Sequence, residues 1–276
     1  MIDELFKAIQ IHYLIYYSTV FKMTTQEALL EYALRLGDTS LILGHRLSEW
    51  CGHGPLLEED IALTNISLDL IGQSRMMLSY AGKLEGKNND EDFMAFHRDA
   101  RQYRNLMMAE QLNGDFAATT ARQFLMSTYL VYLYEELKKS KDETISAFAE
   151  KSLKEVLYHL RHSADWMLRL GDGTEVSNQR LQVALDELWF FVDDLFDADD
   201  VDALLLDAGI AADINKVKTK WSETVNKVIA EAKLKMPQPI TGFMRKGSRK
   251  GNHTEYLGHL LADMQFLPRA YPDAKW

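Results

Sequence analysis

The chain has 276 residues, 47 % hydrophobic and 26 % charged, with a formal net charge of −10 at pH 7. This is an ordinary globular composition, long enough to bury roughly 75 % of its unfolded surface without staples, and its charge excludes nonspecific nucleic-acid or anionic-membrane binding. Cys51 is the one cysteine, which excludes an intramolecular disulfide and Cys-rich zinc sites and fits a reducing, cytoplasmic setting.

Residues 8–21, AIQIHYLIYYSTVF, are apolar and aromatic but are interrupted by Gln10 and His12. They are shorter than the ~18–20 apolar residues of a membrane span. With a flank whose one lysine, Lys7, is outweighed by Asp3 and Glu4, and with no small-residue cleavage site, they do not read as a signal peptide. The expectation is an upstream extension over 1–22, a natural start at Met23, and one helical domain over 23–276. Thr24 and Glu27 form a capping box that starts the first helix.

From there helical periodicity dominates. Leu29, Leu30, Ala33, Leu36, Ile42, Leu43, Leu47 and Trp50 recur at three- and four-residue steps up to Gly52 and Pro55. A second helix is predicted over about 56–81, stopping at Gly82, and shorter pieces over 92–111. A third runs over about 115–139 and a fourth over about 144–170. Ser177 is expected to cap a fifth, to about Phe196, and a sixth spans about 213–235. After Pro237 and Pro239, which disfavour helix, comes GFMRKGSRKGNH, then a last helix over about 254–269 with Leu257, Leu260, Leu261, Met264 and Leu267 on one stripe. No strand pattern, repeat or low-complexity tract interrupts this. The reading is all-α: a long four-helix bundle with further helices packed around it.

Bundles of this size often hold carboxylate-bridged metal pairs, using a lone Glu from each of two helices and a Glu-x-x-His from each of the other two. The stretch KEVLYHLRH (154–162) comes close, but Glu155 is followed at that spacing by Tyr158, and His159 falls one position late. None of the eight histidines has an acid three residues before it, and SLDLIGQSR (67–75) sets Gly72 where a histidine would follow Asp69. Glu49, Asp69, Asp115, Glu155 and His159 remain as a degenerate candidate set. Isolated acids of such a bundle are better read as partners of Arg46, Arg75, Arg122 or Arg161, and His159 with His162 as polar packing.

Other motifs carry less. VDDLFDADDVD (192–202) is acidic but lacks the glycine and terminal glutamate of a calcium loop, so a solvated turn is expected. No nucleophile elbow or phosphate loop occurs. Arg245, Lys246, Arg249 and Lys250 form a basic cluster in an acidic chain, which suits an acidic partner or phosphates, or a merely solvated loop.

The blocks LGDTSLILGHRLSEWCGHGPLLEEDIALTNISLDLIGQSR (36–75), AEQLNGDFAATTARQF (109–124), KEVLYHLRHSADWMLRLGDGTEVS (154–177) and HTEYLGHLLADMQFLPRAYPDAKW (253–276) resemble the C subunits of bacterial ring-1,2-phenylacetyl-CoA epoxidases. The likeness covers nearly all of 25–276. It implies a ferritin-like fold and a part in aerobic phenylacetate breakdown. In that family a sister A subunit holds the di-iron site and binds the CoA thioester, a reductase supplies electrons from NADPH, and the C subunit is a metal-free structural partner. The expectation for this chain is a non-catalytic subunit without a cofactor of its own, bound to the A subunit within a larger complex and able to form a homodimer when alone. The competing expectations are a bundle with its own unusual di-metal site and an acyl-CoA-binding helical protein that uses the 245–250 loop.

Overall fold

The computed structural model describes residues 23–238, 244–272 and 274; the expected extension over 1–22 and Pro239 lie outside them. No strand occurs among the described residues. Helix α1 (Thr25–Ser48) is followed by α2 (Leu57–Glu85), the short α3 (Glu91–Phe96) and α4 (Met107–Glu110), then α5 (Phe116–Leu137) and α6 (Glu143–Gly171). Next come α7 (Glu175–Leu188), α8 (Val192–Leu195), α9 (Asp200–Asp207), α10 (Ile214–Glu231) and α11 (Glu255–Ala270).

Local chemistry fixes most helix starts. Thr24 and Glu27 close the predicted capping box, and the carboxylates of Asp115 and Asp142 accept from the Ala118 and Ile145 amides, both at 2.9 Å, at the starts of α5 and α6. Each satisfies backbone donors that a helix N-terminus leaves free. The predicted stop at Gly82 is not a stop. α2 continues to Glu85 and closes on Gly86, whose φ of 72° suits glycine. Gly82 is needed for packing, because a Cβ there would lie 2.0 Å from the Asn89 carbonyl oxygen.

α1 and α2 form one antiparallel pair and α5 and α6 the other; α2 and α6 lie side by side, so the four make the ferritin-like bundle. Among the core residues, Ile42, Leu43, Ile66, Leu70, Phe124 and Phe148 are buried between them. α7 and α10 cover α5, and α9 covers α1. No described helix is long and apolar enough to cross a membrane.

The region after α6 departs most from expectation. Thr174, not Ser177, caps α7; Ser177 is the reciprocal member of the box, three residues on. The acidic run 192–202 is not a solvated turn. Asp194 is 1 % exposed and accepts from the Met107, Gly247 and Ser248 amides at 3.0, 3.0 and 3.1 Å. Asp199 caps α9, and Asp202 receives two buried arginines, Arg35 at 3.0 Å and Arg249 at 2.5 Å. Buried carboxylates persist only with such donors.

Candidate functional site

The middle of the bundle, where α2 faces α6, holds a seam of polar side chains. Asp69 and Gln73 lie one turn apart on α2, and Glu155 and His159 one turn apart on α6, so the antiparallel helices meet in two matched rungs. In one, His159 Nε2 is 3.0 Å from Asp69 Oδ2; in the other, the Gln73 amide donates to Glu155 Oε2 at 2.9 Å. The Tyr134 hydroxyl of α5 donates to Gln73 Oε1 at 3.1 Å. Burial holds that phenol well above its ordinary range. A third contact lies toward the start of α2: Glu59 accepts from His162 Nε2 and Trp166 Nε1, each at 2.8 Å.

This seam contains three of the five candidate residues, Asp69, Glu155 and His159. Glu49 and Asp115 do not join them. Glu49 lies at the end of α1, half-exposed, bound to Arg46 at 2.8 Å and to Asn113 at 2.9 Å. Asp115 is the α5 cap, with Arg180 3.7 Å away. Among the described residues no three His, Cys, Asp or Glu side chains converge to hold a metal.

A dinuclear carboxylate-bridged centre needs several free anionic oxygens and imidazole nitrogens at one point. Here the Asp69 carboxylate and the His159 Nε2 already satisfy each other. The position facing Glu155 is a neutral amide, and Tyr134 closes the third side. The donor set does not fit such a centre. Gln73 and Tyr134 escape a sequence reading because a search for ligands passes over neutral polar residues. The available signal is the spacing of Gln73, one turn from Asp69, against Glu155 and His159, one turn apart.

The basic cluster is divided. Arg249 is buried, bonded to Asp202 and to the Leu195 carbonyl, which is 3.3 Å from its guanidinium. It holds the segment down and is not available to a partner, which corrects the expectation of a four-residue basic face. Burial opposes its charge, but the surrounding Tyr129, Asp202 and Asp199 hold its pKa above even the ordinary arginine range. Arg245, Lys246 and Lys250 are exposed, with Lys246 3.9 Å from both Asp193 and Asp197.

The C-terminal helix docks on the chain itself, chiefly against α3 and the turn that follows it. Leu257, Leu260 and Leu261 are buried, and Gln265 donates to the Ala95 and Arg98 carbonyls at 3.1 and 2.9 Å. Leu267, placed on the apolar stripe by its spacing, is instead exposed. At the start of the helix, His253 and Thr254 converge on the buried carboxylate of Glu110.

A long antiparallel four-helix bundle of this kind belongs to the ferritin-like class. Within that class, the chain belongs to the phenylacetic acid catabolic protein family, which it matches over residues 16–276. The match begins inside the segment expected to lie outside the resemblance. The chain is also 49 % identical, over 245 residues, to the C subunit of the 1,2-phenylacetyl-CoA epoxidase of Escherichia coli (strain K12), an alignment covering 89 % of this chain and 98 % of that relative.

Proposed function

We propose that the chain is a non-catalytic C-type subunit of a 1,2-phenylacetyl-CoA epoxidase in cytoplasmic phenylacetate catabolism. It carries no metal of its own and pairs with the di-iron A subunit, while a reductase delivers electrons to the complex. The likeness to the Escherichia coli C subunit, over nearly the whole of that relative, supports the assignment. The observation that carries the non-catalytic part is Gln73: a neutral amide lies between Tyr134 and Glu155 at the middle of the bundle, where a metal pair would call for anionic oxygen. In this reading the polar seam holds α2, α5 and α6 in register, and the chain contributes shape and surface to the complex.

Two measurements test this. Elemental analysis of the lone chain, purified from cells grown with added iron or manganese, should give far less than one metal per chain; tightly held stoichiometric metal overturns the reading. Epoxidation of phenylacetyl-CoA should be absent with the lone chain and should appear once the A subunit and reductase are added. Activity from the lone chain with reductase alone would overturn it equally.

A further inference from the structure

The loop 111–115, which joins α4 to α5, contains the pair Asn113–Gly114. The Asn113 amide is tied at both of its ends. Nδ2 donates to the Arg46 carbonyl at 2.7 Å and to Glu49 Oε2 at 2.9 Å, and Oδ1 accepts from Arg122 at 2.6 Å. Gly114 follows with a φ of 58°, and its amide makes no backbone hydrogen bond among the described residues. Glycine has no Cβ and turns freely, so its nitrogen is the least hindered backbone group for attack on a preceding side-chain amide.

Arg122 gives this pair its particular surroundings. The residue is 1 % exposed, yet both groups that its guanidinium meets are neutral, the Gln111 carbonyl and Asn113 Oδ1. Its Nε is buried without a partner. Burial, with Arg46 beside it, pulls the Arg122 pKa down to about 9. Glu49, whose charge reaches it, is committed to Arg46 at 2.8 Å. Asp115, two residues on, is turned to the Ala118 amide and to Arg180. A buried cation with neutral partners alone is costly to hold, and Asn113 occupies the position where a carboxylate would relieve it.

We propose that Asn113 is a deamidation site whose aspartate product is held by Arg122. The Gly114 nitrogen bonds to the Asn113 side-chain carbon and gives up its proton, and the side-chain nitrogen leaves as ammonia. Water then opens the resulting cyclic imide at the same carbon, which leaves a carboxylate and restores the Gly114 amide. Neither an oxidant nor a reductant is required. The new anionic oxygen stands where Oδ1 now meets Arg122, so a doubly charged bond replaces a singly charged one. On the other side the Nδ2 contacts disappear and Glu49 becomes a like charge. Glu49 has a side chain 46 % exposed and can turn toward water, where repulsion is screened; Arg122 has no such exit. The ties on Asn113 restrain it while the loop is closed, so local opening of the loop sets the rate.

The test is incubation of the folded full chain at mildly alkaline pH, beside a urea-denatured sample, with tryptic mapping of the peptide 105–122. The variant Asn113→Asp is melted against the parent. Conversion at Asn113 is expected in the folded chain, more slowly than in the denatured one, with a more acidic species on isoelectric focusing. Asn113→Asp should melt at or above the parent's temperature. A folded chain that stays unconverted while the denatured chain reacts overturns the site. Asn113→Asp melting several degrees below the parent overturns the role of Arg122. So does a folded chain that yields isoaspartate alone, the isomer formed when water opens the imide at the main-chain carbonyl.

Discussion

His253 and Glu110 are 143 positions apart in the chain, yet His253 Nδ1 lies 2.5 Å from the Glu110 carboxylate. The other ring nitrogen is 3.0 Å from the Tyr103 carbonyl oxygen. Both neighbours are acceptors, so the doubly protonated imidazolium satisfies both and the neutral ring only one. Burial alone would pull its pKa down, but the Glu110 bond and charge, with the Tyr103 carbonyl and the more distant Asp38, leave it raised. Asp38 is itself paired with Arg98 and accepts from the Arg104 amide.

A histidine raised on folding stabilises fully below its unfolded value, near 6.5, and loses that contribution as pH rises through the folded value. The parent's melting temperature should therefore contain a component that falls on the alkaline side of 6.5, and His253→Gln should remove it. Parallel pH profiles for parent and variant would show that the pair is not a titrating lock on α11.

Arg249 is the second test. Arg249→Met leaves Asp202 with Arg35 as its one cationic partner, and breaking a buried pair of this kind costs about 3 kcal/mol. Lys250→Glu, one residue further, should leave the denaturant midpoint unchanged. Equal midpoints for the two variants would mean that the 245–250 segment is not anchored through Asp202.

Gln73→Glu tests the seam. The substitution keeps the shape but replaces the donor that meets Glu155 at 2.9 Å with a second carboxylate. The expected loss is about 1–3 kcal/mol at neutral pH, shrinking as the pH is lowered and one proton is shared between the two acids. Urea melts at pH 7 and pH 5 read this directly. A variant that instead melts higher on addition of iron or manganese would show that one more carboxylate is enough to build a metal site here.

Asp194→Ala removes the acceptor shared by the Met107, Gly247 and Ser248 amides. Three N–H groups, two of them buried, then lose a charged partner, and a cost of about 3 kcal/mol is expected. Hydrogen exchange should show these three amides losing protection together. Loss of protection at Met107 alone would show that the 247–248 turn is held by other contacts.

The four long helices are legible in the sequence because each carries an apolar period, and three of them also a capping residue, Thr24, Asp115 or Asp142. Gly82 misleads because a packing glycine and a stop glycine look alike until Asn89 is placed against it. The acidic stretch 192–202 misleads for a related reason. Asp194 and Asp202 are buried because donors from Met107, Arg35 and Arg249 reach them, and nothing near them in sequence shows those partners. At the seam, Asp69, Glu155 and His159 are identifiable as two acids and a histidine on the long helices. Their meaning depends on Gln73 and Tyr134, whose neutral groups complete the network.

The brace between α1 and α9 has a consequence for synthesis. Arg35 meets Asp199 and Asp202 across 164 and 167 positions of chain. On the ribosome α1 therefore emerges long before the carboxylates that neutralise its buried guanidinium, and Arg249 arrives later still. A nascent chain that already includes the bundle through α6 still carries an unmatched cation on its first helix, and that helix must stay hydrated there. Closure of α1 onto α9 therefore waits until Asp199 and Asp202 have been made, after all four long helices of the bundle.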